Sequence, residues 1–253
     1  MIDICLAGAI LGDIAGSYYE FYHPDKIKLF NENCFFTDDT VMNIATKEAI
    51  NEIPIAPDFA RWYQKLGRQY PSLSYGEMFS NWIWEDNPKP YGSFGNGAAM
   101  RVAYIADFYD TLPRVQEVAK MSAIVSHNHP HGILGAELVA VSAAAAKQEA
   151  SKDLIYSLAK HDYPSIDTIE QGYQYNETCQ KTVPAAIKMF CLSNSLEDCF
   201  IKCIQLKGDS DTLCAIAGMI AAPYYGINEK DKEKLRYFCD DYILERIDLC
   251  NEL

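Results

Sequence analysis

Residues 2–16 read IDICLAGAILGDIAG, and the spacing inside them decides the fold class. The stretch is mostly apolar, with Gly8, Gly12 and Gly16 four residues apart. On an α-helix that spacing puts all three on one face. A row of positions without side chains makes a groove that another backbone can approach closely. The stretch therefore predicts a central, buried helix. Residues 211–222, DTLCAIAGMIAA, repeat the small-residue theme, and residues 131–147 combine Gly132, Gly135 and many alanines. Further helices are expected over 40–50, 57–68, 74–83, 113–125, 151–160, 166–172, 183–192, 195–206 and 229–248. Residues 87–99 hold two prolines and three glycines and read as a loop. Alternation of period two never persists, so strands are not expected. The reading is an all-α protein, one domain over residues 1–253.

Composition narrows the function. Lys plus Arg number 22 against 35 Asp plus Glu, a net charge of −13 over 253 residues. A chain that is 49% hydrophobic and 12% aromatic has enough apolar surface to fold. A broad nucleic-acid surface is not expected, because neutralising phosphates takes clustered Lys and Arg. The same deficit argues against binding an anionic membrane. The longest apolar stretches, Ile133 to Ala146 and Leu213 to Tyr225, are too short to span a bilayer. The apolar N-terminus carries Asp3 and Asp13 and no basic start, unlike a signal peptide. Nine cysteines, an odd number without a Cys-x-x-Cys pair, read as reduced core residues of a cytoplasmic protein.

Two acidic clusters carry the chemistry. Thr37-Asp38-Asp39-Thr40 and Asp209-Ser210-Asp211-Thr212 each stand just before a helix. Singly, each is an ordinary helix cap. Adjacent carboxylates cannot both cap one helix, however, and the chain holds a matched pair of such junctions. Carboxylate and hydroxyl oxygens are hard ligands suited to Mg²⁺ or Mn²⁺ rather than zinc. Glu20, at the end of the first glycine-rich helix, would alone pass for a surface glutamate. Gly92-Ser93-Phe94-Gly95-Asn96-Gly97 offers backbone N–H groups to a phosphate, yet lacks both the Walker and the Rossmann context. His127, His129 and His131 have zinc-like crowding, but Pro130 and Gly132 break the geometry. One ligand-facing histidine at a polar helix start is the better reading. Tyr18, Tyr19, Tyr91 or Phe94 are the rings available to stack on a base, although packing is the default role for each.

Together these segments resemble the ADP-ribosylglycohydrolase family. The motifs run in order: GAILGDIAGSYYEF at 8–21, FTDDTVM at 36–42, GSFGNGAAMRVA at 92–103, SHNHPHG at 126–132, TVPAAI at 182–187 and GDSDTLCAIAGMIAAPYYG at 208–226. The resemblance implies a compact orthogonal helical bundle with a binuclear site for two Mg²⁺ (or Mn²⁺). Metal ligands carry over to Thr37, Asp38, Asp39, Asp209, Asp211 and Thr212, and ADP-ribose contacts to Ser93, Phe94, Gly95, Asn96, Gly97 and His127. Ser210 stands where the family more often has Thr. Glu20 matches a glutamate that gates the site or joins the metal shell. The implied reaction is hydrolysis at C1″ of the distal ribose, freeing ADP-ribose from an ADP-ribosylated protein or a smaller derivative. Glu20, Asp38, Asp39 and Asp211 are the candidates for the carboxylate that activates water. Arginine is the favoured acceptor, since an acidic rim welcomes a guanidinium, with serine-linked or small-molecule derivatives as alternatives. The rival readings are a silent ADP-ribose binder or structural protein, and a phosphohydrolase that would release AMP instead.

Overall fold

The computed structural model describes residues 2–250. Among them lie thirteen α-helices and no strand. In chain order these are α1 (Ile4–Ser17), α2 (Asp38–Glu52), α3 (Phe59–Gln69), α4 (Glu77–Ile83), α5 (Ala103–Phe108), α6 (Leu112–Ile124), α7 (Pro130–Lys147), α8 (Lys152–Asp162), α9 (Cys179–Leu192), α10 (Leu196–Gln205), α11 (Ser210–Tyr225), α12 (Glu229–Phe238) and α13 (Asp241–Arg246). None is long and apolar enough to cross a membrane.

The centre is the pair α1 and α11. Every residue from Cys5 to Ser17 is buried, as is every residue from Ser210 to Ala222. The glycine row is what lets the two meet. A Cβ on Gly8 would lie 2.3 Å from the Gly218 carbonyl oxygen, on Gly12 2.0 Å from that of Cys214, and on Gly16 2.1 Å from that of Ser210. Partner numbers fall as the glycine numbers rise, so the helices run antiparallel with their backbones in contact. The geometry has a functional consequence: the C-terminal end of α1, leading to Glu20, arrives beside the N-terminal end of α11, which carries Asp209 and Asp211. Helices α7, α9 and α10 flank α11, while α2 and α5 flank α1. At the far end of α1, the Asp107 carboxylate accepts from the N–H groups of Cys5 (3.1 Å) and Leu6 (2.8 Å), pairing two donors that open a helix.

Two helix expectations need correction, and one short helix lies outside them. Residues 229–248 are not one helix. The chain turns extended at Cys239, and Asp240 restarts it by accepting from the Ile243 N–H at 2.9 Å. Residues 166–172 form only the end of a 3-10 turn (Pro164–Thr168) and an irregular stretch in which Gly172 takes φ +67°. The short helix α5 falls in an apolar run too brief to show a period. The cysteines are all unbridged; seven are buried, Cys191 is half-buried and Cys250 exposed.

Candidate active site

One cavity of about 280 Å³ opens where α1, α2 and α11 converge. Glu20, Asp38, Asp39, Asp209, Asp211 and Thr212 line it from these elements. Ser93, Gly95, Asn96, Gly97 and His127 line it from the glycine loop and the turn before α7. Phe94 does not: it is 43% exposed, its ring 5.1 Å from that of His129. Thr37 is buried beneath the cavity wall as the N-cap of α2. Of the tyrosines considered for base stacking, Tyr91 lines the cavity, whereas Tyr19 is buried with its hydroxyl bonded to the Lys28 carbonyl.

The capping expected of Asp38 or Asp39 is done by other groups. Thr37 Oγ1 accepts from the Asp39 N–H at 3.3 Å. The Asp13 carboxylate, reaching over from α1, accepts from the N–H groups of Thr37 (2.8 Å) and Thr40 (3.1 Å) and from both threonine hydroxyls. Asp13 thus satisfies donors that a capping side chain would otherwise take. Both Asp38 and Asp39 are left free to face the cavity. Thr212 Oγ1 donates to Asp39 Oδ2 at 3.2 Å, joining α2 to α11. Asn96 Nδ2 donates to Asp209 Oδ2 at 2.6 Å, joining the loop to α11.

The site is starved of positive charge. Glu20, Asp209 and Asp211 each offer an oxygen within 4.8 Å of the others. Among the described residues none of Asp13, Glu20, Asp38, Asp39, Asp209 or Asp211 forms an ion pair with Lys or Arg. Burial first, then the charge of Asp211, pushes the carboxyls of Asp38, Asp39 and Asp209 well above the usual range. The same two causes raise Asp13 and Glu20 to about 7. Asp39 Oδ1 is buried without a hydrogen-bond partner. Buried like charges with an orphaned oxygen call for a cation. The all-oxygen donor set fits a hard divalent ion. Glu20, far from being a surface residue, is buried; the Tyr175 hydroxyl lies 2.9 Å from its Oε1 and 2.8 Å from Glu177 Oε1.

The glycine loop differs from the phosphate cradle that its sequence suggests. The N–H groups of Gly92, Gly95 and Asn96 already donate to Asn128 Oδ1, Ser93 Oγ and the Glu177 carbonyl. Gly97 instead makes room: a Cβ there would sit 3.2 Å from His127 Nε2. The other two histidines do not converge with His127. His129 caps α7 by accepting from the His131 N–H, and His131 is exposed.

Sequence reasoning missed three residues. Asp13 signals itself only as a carboxylate in an apolar helix, and Arg101 only as a lone cation in an apolar run. Tyr175 carries no local signal, since its position depends on a loop folding over Glu20.

Comparison with known proteins agrees with the helical architecture. The ADP-ribosylglycohydrolase family model matches residues 3–251. The human ADP-ribosylhydrolase ARH3 is 29% identical, the alignment covering 94% of this chain and 88% of the relative. The ADP-ribosyl-[dinitrogen reductase] glycohydrolase of Rhodospirillum rubrum is 23% identical over 76% of this chain and 70% of its own. A solved structure described as an ADP-ribosylglycohydrolase-related protein complex superposes with a TM-score of 0.74 at 20% identity, covering 98% of both chains, and supports the all-α fold. By its motifs, its helical architecture and a match over nearly its whole length, the chain belongs to the ADP-ribosylglycohydrolase family of glycosidase-type hydrolases.

Proposed function

We propose that this protein hydrolyses the bond between C1″ of the distal ribose of ADP-ribose and an acceptor group. The observation that carries the reading is the convergence of five buried carboxylates, from three separate elements, on one cavity, none of them ion-paired to a Lys or Arg among the described residues. Thr37, Asp38, Asp39, Asp209, Asp211 and Thr212, with Glu20 at the edge, would hold two Mg²⁺ or Mn²⁺ ions. Such ions supply Lewis acidity and a fixed template for the ribose hydroxyls. Ser93, Gly95, Asn96, Gly97 and His127 bind the ADP-ribose, and Phe94 would reach it only by turning in from the surface. Breaking the bond builds oxocarbenium character on the sugar, which surrounding carboxylates stabilise. Glu20, Asp38, Asp39 and Asp211 are the groups at hand to take the proton of the attacking water.

The acceptor we favour is arginine. Glu77 and Glu177 add two more carboxylates to the cavity wall, while Arg101, the one Lys or Arg lining it among the described residues, is 1% exposed. A negatively charged mouth of this kind attracts a guanidinium or a basic peptide and repels an anionic one. The buried, unbridged thiols suit a reducing compartment, so we place the protein in the cytoplasm. The test is release of ADP-ribose, read by mass, from arginine-modified and serine-modified proteins with and without Mg²⁺. Release from the serine-linked protein alone would replace the acceptor; AMP as the product would replace the reaction.

A further inference from the structure

Arg101 is buried and has no carboxylate partner among the described residues. Its guanidinium lies 4.1 Å from the Tyr63 ring centroid and 5.6 Å from that of Phe79. One terminal nitrogen donates to the Ser122 carbonyl and to Ser126 Oγ, both at 2.9 Å. Ser126 Oγ in turn lies 2.8 Å from His127 Nδ1. These three groups form a hydrogen-bonded chain that ends at the cavity, and the fixed positive charge at its start biases its polarity.

A guanidinium only donates. The Ser126 oxygen therefore accepts from Arg101, and the positive charge favours its own hydrogen turned away, toward His127 Nδ1. That nitrogen then accepts, and a neutral imidazole accepting at Nδ1 carries its proton on Nε2. Nε2 is the edge that faces Gly95 and Gly97, where a Cβ would come within 3.6 Å and 3.2 Å. We propose that Arg101, acting through Ser126, is a positioning residue that locks His127 as a neutral imidazole with its proton on Nε2, aimed at an oxygen of the ligand in the cavity. Burial and the nearby guanidinium also hold the imidazole well below its usual range. The Tyr91 ring, 5.8 Å away by centroids, packs beside it. A fixed neutral donor grips a phosphate or ribose oxygen without adding a charge that titrates near neutral pH. The identity of that ligand rests on the ADP-ribose reading; the locked tautomer does not.

The experiment is long-range ¹H–¹⁵N correlation of the imidazole nitrogens in the intact protein, with His127 assigned by the signal lost in His127→Gln. The expected pattern is the Nε2–H tautomer, unchanged between pH 6 and 8. In Ser126→Ala the pattern should shift toward a tautomer mixture, and ADP-ribose should bind about fivefold more weakly, as for loss of one well-aimed hydrogen bond. In Arg101→Met the His127 signals should begin to titrate toward the ordinary histidine range; if that variant does not fold, Ser126→Ala carries the same test. An Nδ1–H tautomer or an imidazolium in the wild-type protein at pH 7 overturns the proposal. So does an unchanged tautomer in Ser126→Ala. The locked tautomer with no ADP-ribose binding would keep the relay and sink the ligand assignment instead.

Discussion

Gly12→Ala puts the link between fold and site under direct strain. The added methyl carbon would lie 2.0 Å from the Cys214 carbonyl oxygen and 2.4 Å from its carbon. Real Cβ atoms essentially never come closer than 3.0 Å, so α1 and α11 must part by about 1 Å. Both neighbours are backbone inside fully buried helices, so no flexible side chain can yield. Overpacking of this kind costs about 3 kcal/mol or more. Alanine returns about 1 kcal/mol of helix propensity. The net loss is roughly 2–3 kcal/mol, which for a chain of this size lowers Tm by about 5–10 °C. The same displacement moves Glu20 away from Asp211, so cation affinity should fall together with Tm. Circular dichroism melts at 222 nm and Mg²⁺ titration by calorimetry measure both quantities. A Tm within a degree of wild type would refute the backbone-contact account. A lowered Tm with unchanged cation affinity would refute the claim that this helix pair sets the site.

Three further outcomes follow from the same geometry. Asp38→Asn and Asp211→Asn should each cut turnover by more than about 100-fold, yet raise the stability of the cation-free protein by about 1–2 kcal/mol, because each removes one ionisable carboxyl from a crowded, repelling cluster; kcat and cation-free melts test the pair of effects together. Asp13→Ala should cost about 3 kcal/mol by leaving two buried N–H groups and two hydroxyls without their acceptor, and should weaken cation binding without removing a ligand, which urea unfolding and calorimetry would show. Asp13 and Glu20 hold protons up to about pH 7 when folded, against ordinary values of 3.8 and 4.5. The folded state then binds more protons than the unfolded one between about pH 4 and 7, so the cation-free protein should lose stability as pH rises through that window. Saturating Mg²⁺ should flatten or reverse the slope; a cation-free Tm that rises from pH 5 to 7 would contradict it.

Much of this was legible in the chain because small residues and acidic clusters are local signals. The four-residue glycine spacing announced α1 as central, and Thr37-Asp38-Asp39 and Asp209-Ser210-Asp211 marked two helix starts as chemical. What stayed hidden depends on contacts distant in sequence. Asp13 caps a helix 24 residues away, which frees both aspartates, and no short pattern encodes that. Arg101 reaches His127 only through Ser126 once α6 has folded beside the loop. The break at Cys239 is masked because charged and apolar residues keep a helical rhythm across it, although Asp240-Asp241 offers a capping signal. Phe94 shares its loop with residues that line the cavity, yet its ring leaves by the outer face, which the motif alone does not show.

The central claim is that carboxylates gathered by α1, α2 and α11 make a cation-dependent glycosidic hydrolase. Mass spectrometry of chelator-treated protein, incubated with an arginine-ADP-ribosylated substrate before and after Mg²⁺ or Mn²⁺ is restored, tests it most directly. Free ADP-ribose is expected only after the cation returns. ADP-ribose released at an undiminished rate in the presence of chelator would contradict it.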